Sequence, residues 1–269
     1  MSELDDRLEL AVAIALEAAA IPRQHFFDQD LVVERKADES PVTRADTDIE
    51  VLLRNRIELA CPSDAISGEE FPSKEGSTGF KWHLDPIDGT QSFIRGVPLF
   101  GTMVALQHSD DAVLGVIAFP ALGEIIYAAK GSGAWWATNA DEAKGIQDLD
   151  RRAAKVSTTS DLADAALACG GLELFPQLGV HDGLARLLVK AKLSRGWCDC
   201  YGHYLVATGR MDVMVDPEMH LWDNAPLLPI VTEAGGRFTD LSGNPVIDSG
   251  SGLSTNGLLH DAVLNEWRG

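Results

Sequence analysis

The residues of this chain best arranged to do chemistry lie in Trp82-His83-Leu84-Asp85-Pro86-Ile87-Asp88-Gly89-Thr90, where two aspartates flank a proline and an isoleucine. Leu84 closes an apolar run, Pro86 fixes its own φ and pushes Asp85 towards an extended conformation, and Gly89 permits backbone angles closed to other residues. On a rigid turn of this kind Asp85 and Asp88 converge on one point, with the Ile87 carbonyl between them as a third oxygen. Oxygen donors suit Mg²⁺, Mn²⁺ or Ca²⁺, whereas zinc favours His and Cys. The amides of Gly89, Thr90 and Gln91 then open a short helix, and the free N–H groups of a helix start form a site for phosphate. Asp-Gly is by itself also a hairpin signal. Two outlying clusters favour the metal reading: Gly68-Glu69-Glu70, and Asp223 in Leu221-Trp222-Asp223-Asn224.

The elements that must hold these groups follow from hydrophobic period and punctuation. Leu4 to Ala20 has a helical period and Pro22 bounds it; Val32 to Val42 reads as a short strand and a polar loop carrying Lys36. Thr43-Arg44-Ala45-Asp46 opens a helix through Ala60, with Thr43 and Asp46 at the spacing of a capping pair. Asp64 to Glu70 is a short strand ending in glycine and two acids. Phe100–His108, Ala112–Phe119, Glu124–Lys130 and Ala134–Ala137 form a largely antiparallel meander. The charged, aperiodic segment Asn139 to Ala154 is the candidate boundary between a metal and phosphate half, 1–145, and a substrate half, 146–269. Beyond it a strand is expected at Lys155–Thr158, helices around His181–Lys192 and Asp199–Thr208, and a strand at Asp212–Asp216. A last helix runs from Leu221 through Thr232, carries Pro226 and Pro229, and stops at Gly235-Gly236.

At 269 residues, 45% hydrophobic and 23% charged, the chain is globular, as one large layered domain or two closely packed halves. Its 22 basic and 41 acidic residues give a net charge of -19, which argues against nucleic-acid or anionic-membrane binding through a basic surface. An anionic substrate then needs local positive charge, and cations supply it. The start lacks a basic leader, and Leu10 to Leu16 is too short to span a bilayer, so a cytoplasmic location is expected. Cys61, Cys169, Cys198 and Cys200 show no disulfide or zinc framework and are expected as free thiols.

Gly68-Glu69-Glu70, then Asp85-Pro86-Ile87-Asp88-Gly89-Thr90, then Trp222-Asp223-Asn224-Ala225, in this order and spacing, resemble the inositol monophosphatase-like superfamily of Mg²⁺-dependent, Li⁺-sensitive phosphatases. The resemblance implies a layered αβαβα sandwich in which Glu69, Asp85, the Ile87 carbonyl, Asp88 and Asp223 hold two or three Mg²⁺. It further implies that Thr90 orients a water, that Asp46 accepts its proton through the threonine hydroxyl, and that the enzyme is a homodimer. Gln91-Ser92-Phe93, Gly96 to Thr102 and Asp199-Cys200-Tyr201-Gly202 are similar to the histidinol-phosphate phosphatase branch, although Gln91 stands where Lys or Arg is expected. The implied activity is hydrolysis of a small phosphomonoester. Histidinol phosphate carries an ammonium and an imidazole, which Asp199, Asp216 and Glu218 would accept, with Tyr201 and His203 as ring neighbours. Inositol 1-phosphate, another sugar or nucleotide phosphate, and a protein-binding role with a vestigial site are the alternatives.

Overall fold

The computed structural model describes residues 3–28, 31–36 and 40–269; Met1, Ser2 and residues 37–39 of the polar loop lie outside it. An apolar stripe builds α1 (Glu3–Ala18), with Ala11, Val12, Ile14, Ala15 and Leu16 buried. Pro22 does not end that helix. The chain breaks at Ala19, and Pro22 is buried in the first turn of α2 (Ala20–His25), where a missing N–H costs no helical bond. β1 (Val33–Arg35) and β2 (Pro41–Thr43) pair antiparallel. Thr43 then caps α3 (Arg44–Ala60) in a reciprocal box with Asp46.

β3 (Ala65–Gly68) lies parallel to β4 (Phe80–Asp88). The ladder of β4 continues beyond Leu84 to Asp88, and its register against β5 (Gly101–His108) slips between Asp85 and Asp88, an irregularity of the kind that re-aims side chains. Gly89, at φ 83°, turns the chain into the single-turn helix α4 (Thr90–Phe93), so the Asp-Gly pair makes no hairpin. β6 (Asp111–Phe119), β7 (Glu124–Ala129), β8 (Ala134–Ala137) and β9 (Arg152–Ala153) complete the meander in a seven-stranded sheet of order β3-β4-β5-β6-β7-β8-β9. The expected boundary segment thus ends inside this sheet. Lys155–Thr158 is not a strand; it crosses towards the second sheet, and its Val156 amide donates to the Ala234 carbonyl at 3.1 Å.

The second sheet contains β10 (Ala166–Cys169), β11 (Leu193–Arg195), β12 (Val213–Asp216), β13 (Arg237–Thr239) and β14 (Gly252–Thr255), in the order β11-β10-β12-β14-β13. Between and after these strands run α5 (Leu174–Gln177), α6 (His181–Lys190), α7 (Asp199–Ala207), α8 (Leu221–Glu233) and α9 (His260–Arg268). α1 and α3 cover one face of the large sheet, α7 and α8 fill the space between the sheets, and α6 and α9 cover the outer face of the small one. This is the expected five-layer αβαβα sandwich. Pro226 and Pro229 both sit buried inside α8, each removing a helical hydrogen bond. What seats the helix is Gly115 on β6, where an added Cβ would lie 2.2 Å from the Pro226 carbonyl oxygen. Among the described residues no helix is long and apolar enough to cross a membrane.

Candidate active site

The end of β4 and the start of α8 bring Asp85, Asp88 and Asp223 together, each offering an oxygen within 4.8 Å of the others. Backbone amides aim two of the three. Asp223 Oδ2 accepts the His220 amide at 2.7 Å as part of the cap of α8, and Asp88 Oδ2 accepts the Cys200 amide at 2.6 Å in the first turn of α7. Asp85 is buried, and its Oδ1 has no hydrogen-bond partner. An unpaired buried oxygen is costly, and a hard cation is its natural complement, so the donor set fits a divalent metal ion. The charges agree. Burial, then Glu69, Asp223 and Asp88, push the Asp85 carboxyl well above the usual carboxylate range; burial, then Asp199 and Asp223, do the same to Asp88.

Glu69 stands outside this 4.8 Å set, although its charge acts on Asp85. It is held by Lys36, whose Nζ lies 2.5 Å from Glu69 Oε1 and 2.7 Å from Glu70 Oε1. Lys36 thus leaves the polar loop to bind both acids. Burial lowers its pKa, but the hydrogen bonds to both glutamates outweigh burial and raise it. Burial pushes Glu69 up despite Lys36, and Glu70 up to about 7.

The expected relay from Thr90 to Asp46 is not formed. Thr90 Oγ1 donates to the Ile87 carbonyl at 2.9 Å, while Asp46 Oδ2 accepts the Thr43 amide at 2.8 Å and the Thr43 hydroxyl at 2.6 Å. The capping box wins because it closes within one helical turn. At α4 no described carbonyl accepts the amides of Thr90 or Gln91, which leaves both N–H groups for an anion.

A cavity of about 430 Å³ opens beside Asp88 and Asp223 and is lined also by Gln91, Arg95, Glu173, Cys198, Asp199, Asp216, Glu218 and Met219. Asp199 packs against the turn that carries Asp88: its Oδ2 would lie 3.0 Å from a Cβ on Gly89. Its own φ of 56° is a left-handed angle unusual outside glycine. Burial, then the charges of Asp199, Asp88 and Asp223, hold Asp216 well above the usual range. Two expected substrate residues fall away. Tyr201 packs edge-on against Phe119 at 5.6 Å between centroids, and His203 is fully buried with Nδ1 2.7 Å from Ser254 Oγ; neither lines the cavity. Asp199 at the start of α7 reaches the site, whereas Tyr201 is turned by about 200° from it and His203, on the same face, stands one turn or about 6 Å further along the axis. Glu173 and Arg95 were not singled out in the sequence. Arg95 is the one cation among the described lining residues, and its Nη1 donates to the Gln91 carbonyl at 3.0 Å.

His203 instead carries a stability prediction. Burial lowers its pKa from 6.5 to about 3, so the native state binds fewer protons than the unfolded chain and stability rises with pH across that interval. The advantage of the wild type over His203→Gln is expected to be full above pH 6.5 and to shrink as pH falls, by about 1.4 kcal/mol for each unit. Urea melts of both proteins at pH 8 and pH 5 check it; an equal difference at the two pH values contradicts it.

Comparison with known proteins extends over nearly the whole chain. The profile of the Inositol monophosphatase family matches residues 3–268. A histidinol-phosphatase of Chlorobaculum parvum is 40% identical over 91% of this chain and 90% of its own length, and one of Streptomyces coelicolor is 37% identical over 98% and 97%. Among solved structures, an inositol monophosphatase from Zymomonas mobilis superposes with a TM-score of 0.83 at 29% identity, covering 100% of both chains. Likeness this complete, in sequence and in fold, leaves one conclusion: the chain is a phosphomonoester hydrolase and belongs to the inositol monophosphatase family.

Proposed function

We propose that this protein hydrolyses histidinol phosphate to histidinol and inorganic phosphate, with Mg²⁺ held by Asp85, Asp88 and Asp223 and with Glu69 and the Ile87 carbonyl as further oxygen donors. What supports the metal set is the buried, unpartnered Asp85 Oδ1 inside a cluster of three carboxylates. Mg²⁺ held there supplies Lewis-acid activation of water and neutralises charge on the leaving oxygen. The chain does the rest. The amides of Thr90 and Gln91 donate to the phosphoryl oxygens and fix the group in place. The Thr90 hydroxyl, its proton committed to Ile87, presents its oxygen as an acceptor that orients the attacking water. The Ile87 carbonyl accepts that proton with one lone pair and keeps a second.

The observation that carries the substrate is the acidity of the cavity. Beyond Asp88 and Asp223, it is lined by Glu173, Asp199, Asp216 and Glu218. A polyol needs no such charge, whereas an ammonium and an imidazole need acceptors; the names of the relatives from Chlorobaculum parvum and Streptomyces coelicolor agree. We expect kcat/KM for histidinol phosphate to exceed that for inositol 1-phosphate by at least about ten-fold, roughly 1.4 kcal/mol of differential transition-state binding. Glu218→Gln and Glu173→Gln should erode that ratio and spare hydrolysis of a small neutral phosphomonoester. Equal efficiency on both substrates would sink the histidinol assignment and leave the phosphatase chemistry standing.

A further inference from the structure

We propose that Glu50 of α3, a fully buried residue that touches neither the carboxylate cluster nor the cavity, is the positioning residue that sets the cation affinity of the site by fixing Glu69. The proposal rests on the reading that Glu69 serves the cation. Glu50 Oε2 accepts the Glu70 amide at 2.7 Å, and Oε1 accepts the Phe71 amide at 3.3 Å. Arg54, one helical turn on, donates to Glu50 Oε1 at 2.7 Å and to the Phe71 carbonyl at 2.9 Å. A Cβ on Gly68 would lie 2.1 Å from Glu50 Oε1, so the carboxylate occupies the volume a side chain would take. Helix α3 therefore grips the backbone on both sides of Glu69: the carboxylate is pressed on Gly68 and bonded at residues 70 and 71.

The grip matters because Glu69 has a competing partner in Lys36. Lys36 bonds Glu69 and Glu70 together, and without a fixed backbone that pair can draw the Glu69 carboxylate away from Asp85. A carboxylate accepts two amides with its two oxygens, whereas a carboxamide offers one oxygen and turns an N–H₂ towards the other amide. Glu50→Gln thus keeps the volume of the side chain and removes half of the grip. Groups that hold metal ligands in place typically contribute about 10–100-fold to metal affinity.

The test is Mn²⁺ binding to EDTA-stripped full-length protein, read from the electron paramagnetic resonance signal of the free ion. It is run on the wild type, Glu50→Gln, Arg54→Gln and Glu69→Gln, with thermal melts in EDTA alongside. Glu50→Gln should melt cooperatively without metal yet bind Mn²⁺ about 10–100-fold more weakly, with Arg54→Gln shifted several-fold in the same direction. Wild-type affinity in Glu50→Gln, with a loss of melting temperature only, overturns the proposal. Should Glu50→Gln not fold, Arg54→Gln decides, and its wild-type affinity overturns the proposal equally. If Glu69→Gln itself binds Mn²⁺ like the wild type, the reading of Glu69 fails first; a weakened Glu69→Gln beside an unaffected Glu50→Gln refutes the role of Glu50 alone.

Discussion

Asp88→Asn is expected to lower kcat for phosphate release by roughly 10³-fold or more at saturating Mg²⁺, about 4 kcal/mol of barrier, and to raise the melting temperature of the metal-free protein. Both effects have one origin. Asp88 is crowded by Asp199 and Asp223 in a buried place that holds its carboxyl well above the usual range, so removing its charge relieves repulsion as it removes a donor for the cation. The cap on α7 survives, because an asparagine oxygen still accepts the Cys200 amide that Asp88 Oδ2 binds at 2.6 Å. Steady-state rates across an Mg²⁺ titration, paired with melts in EDTA, check the prediction. Wild-type turnover at saturating Mg²⁺ would remove Asp88 from the metal set.

Thr90→Ala should lower kcat by about 10²-fold, the order expected when an attacking group loses its positioning, while Mg²⁺ activation shifts little. The Thr90 hydroxyl reaches the Ile87 carbonyl at 2.9 Å and no carboxylate, so its loss costs the orientation of water more than it costs a metal donor. Asp46→Asn separates the two readings of Asp46. Asp46 accepts both the amide and the hydroxyl of Thr43, and as a cap it should cost about 1 kcal/mol of stability and leave kcat nearly intact. A kcat loss matching that of Thr90→Ala would restore the relay that the hydrogen bonds do not show. Rates and denaturant melts on the two variants distinguish the outcomes.

What could be read in the sequence was local. Pro86, Gly89 and the acids beside them constrain one another within a few bonds, so the turn and the convergence of Asp85 and Asp88 were visible, and so was the capping box at Thr43. The meander was visible because β5 to β7 are long runs and clear punctuation separates all four strands. The second sheet was largely missed. Ala166–Cys169 is a buried strand of small residues with no alternation to mark it, and β11 and β13 have three residues each. Groups that act over distance were missed for another reason. Lys36 meets glutamates 33 and 34 positions away, and Glu50 meets backbone 20 and 21 positions away; no spacing rule reports such pairs. A glutamate beside Ile49 and ahead of Leu53 and Ile57 on a buried helical face was the one signal available for Glu50. Tyr201 and His203 were placed in the site for nearness to Asp199 in the chain. Helical rotation turns Tyr201 against Phe119, and the rise of one further turn carries His203 into the core.

The decisive measurement is phosphate release from histidinol phosphate by protein stripped with EDTA, before and after Mg²⁺ is added back. Turnover should be absent from the stripped wild type, return with Mg²⁺, and fail to return in Asp223→Asn, whose oxygen completes the cluster with Asp85 and Asp88. Turnover that persists in EDTA, or that Asp223→Asn sustains at the wild-type rate, would contradict metal-assisted hydrolysis at these carboxylates.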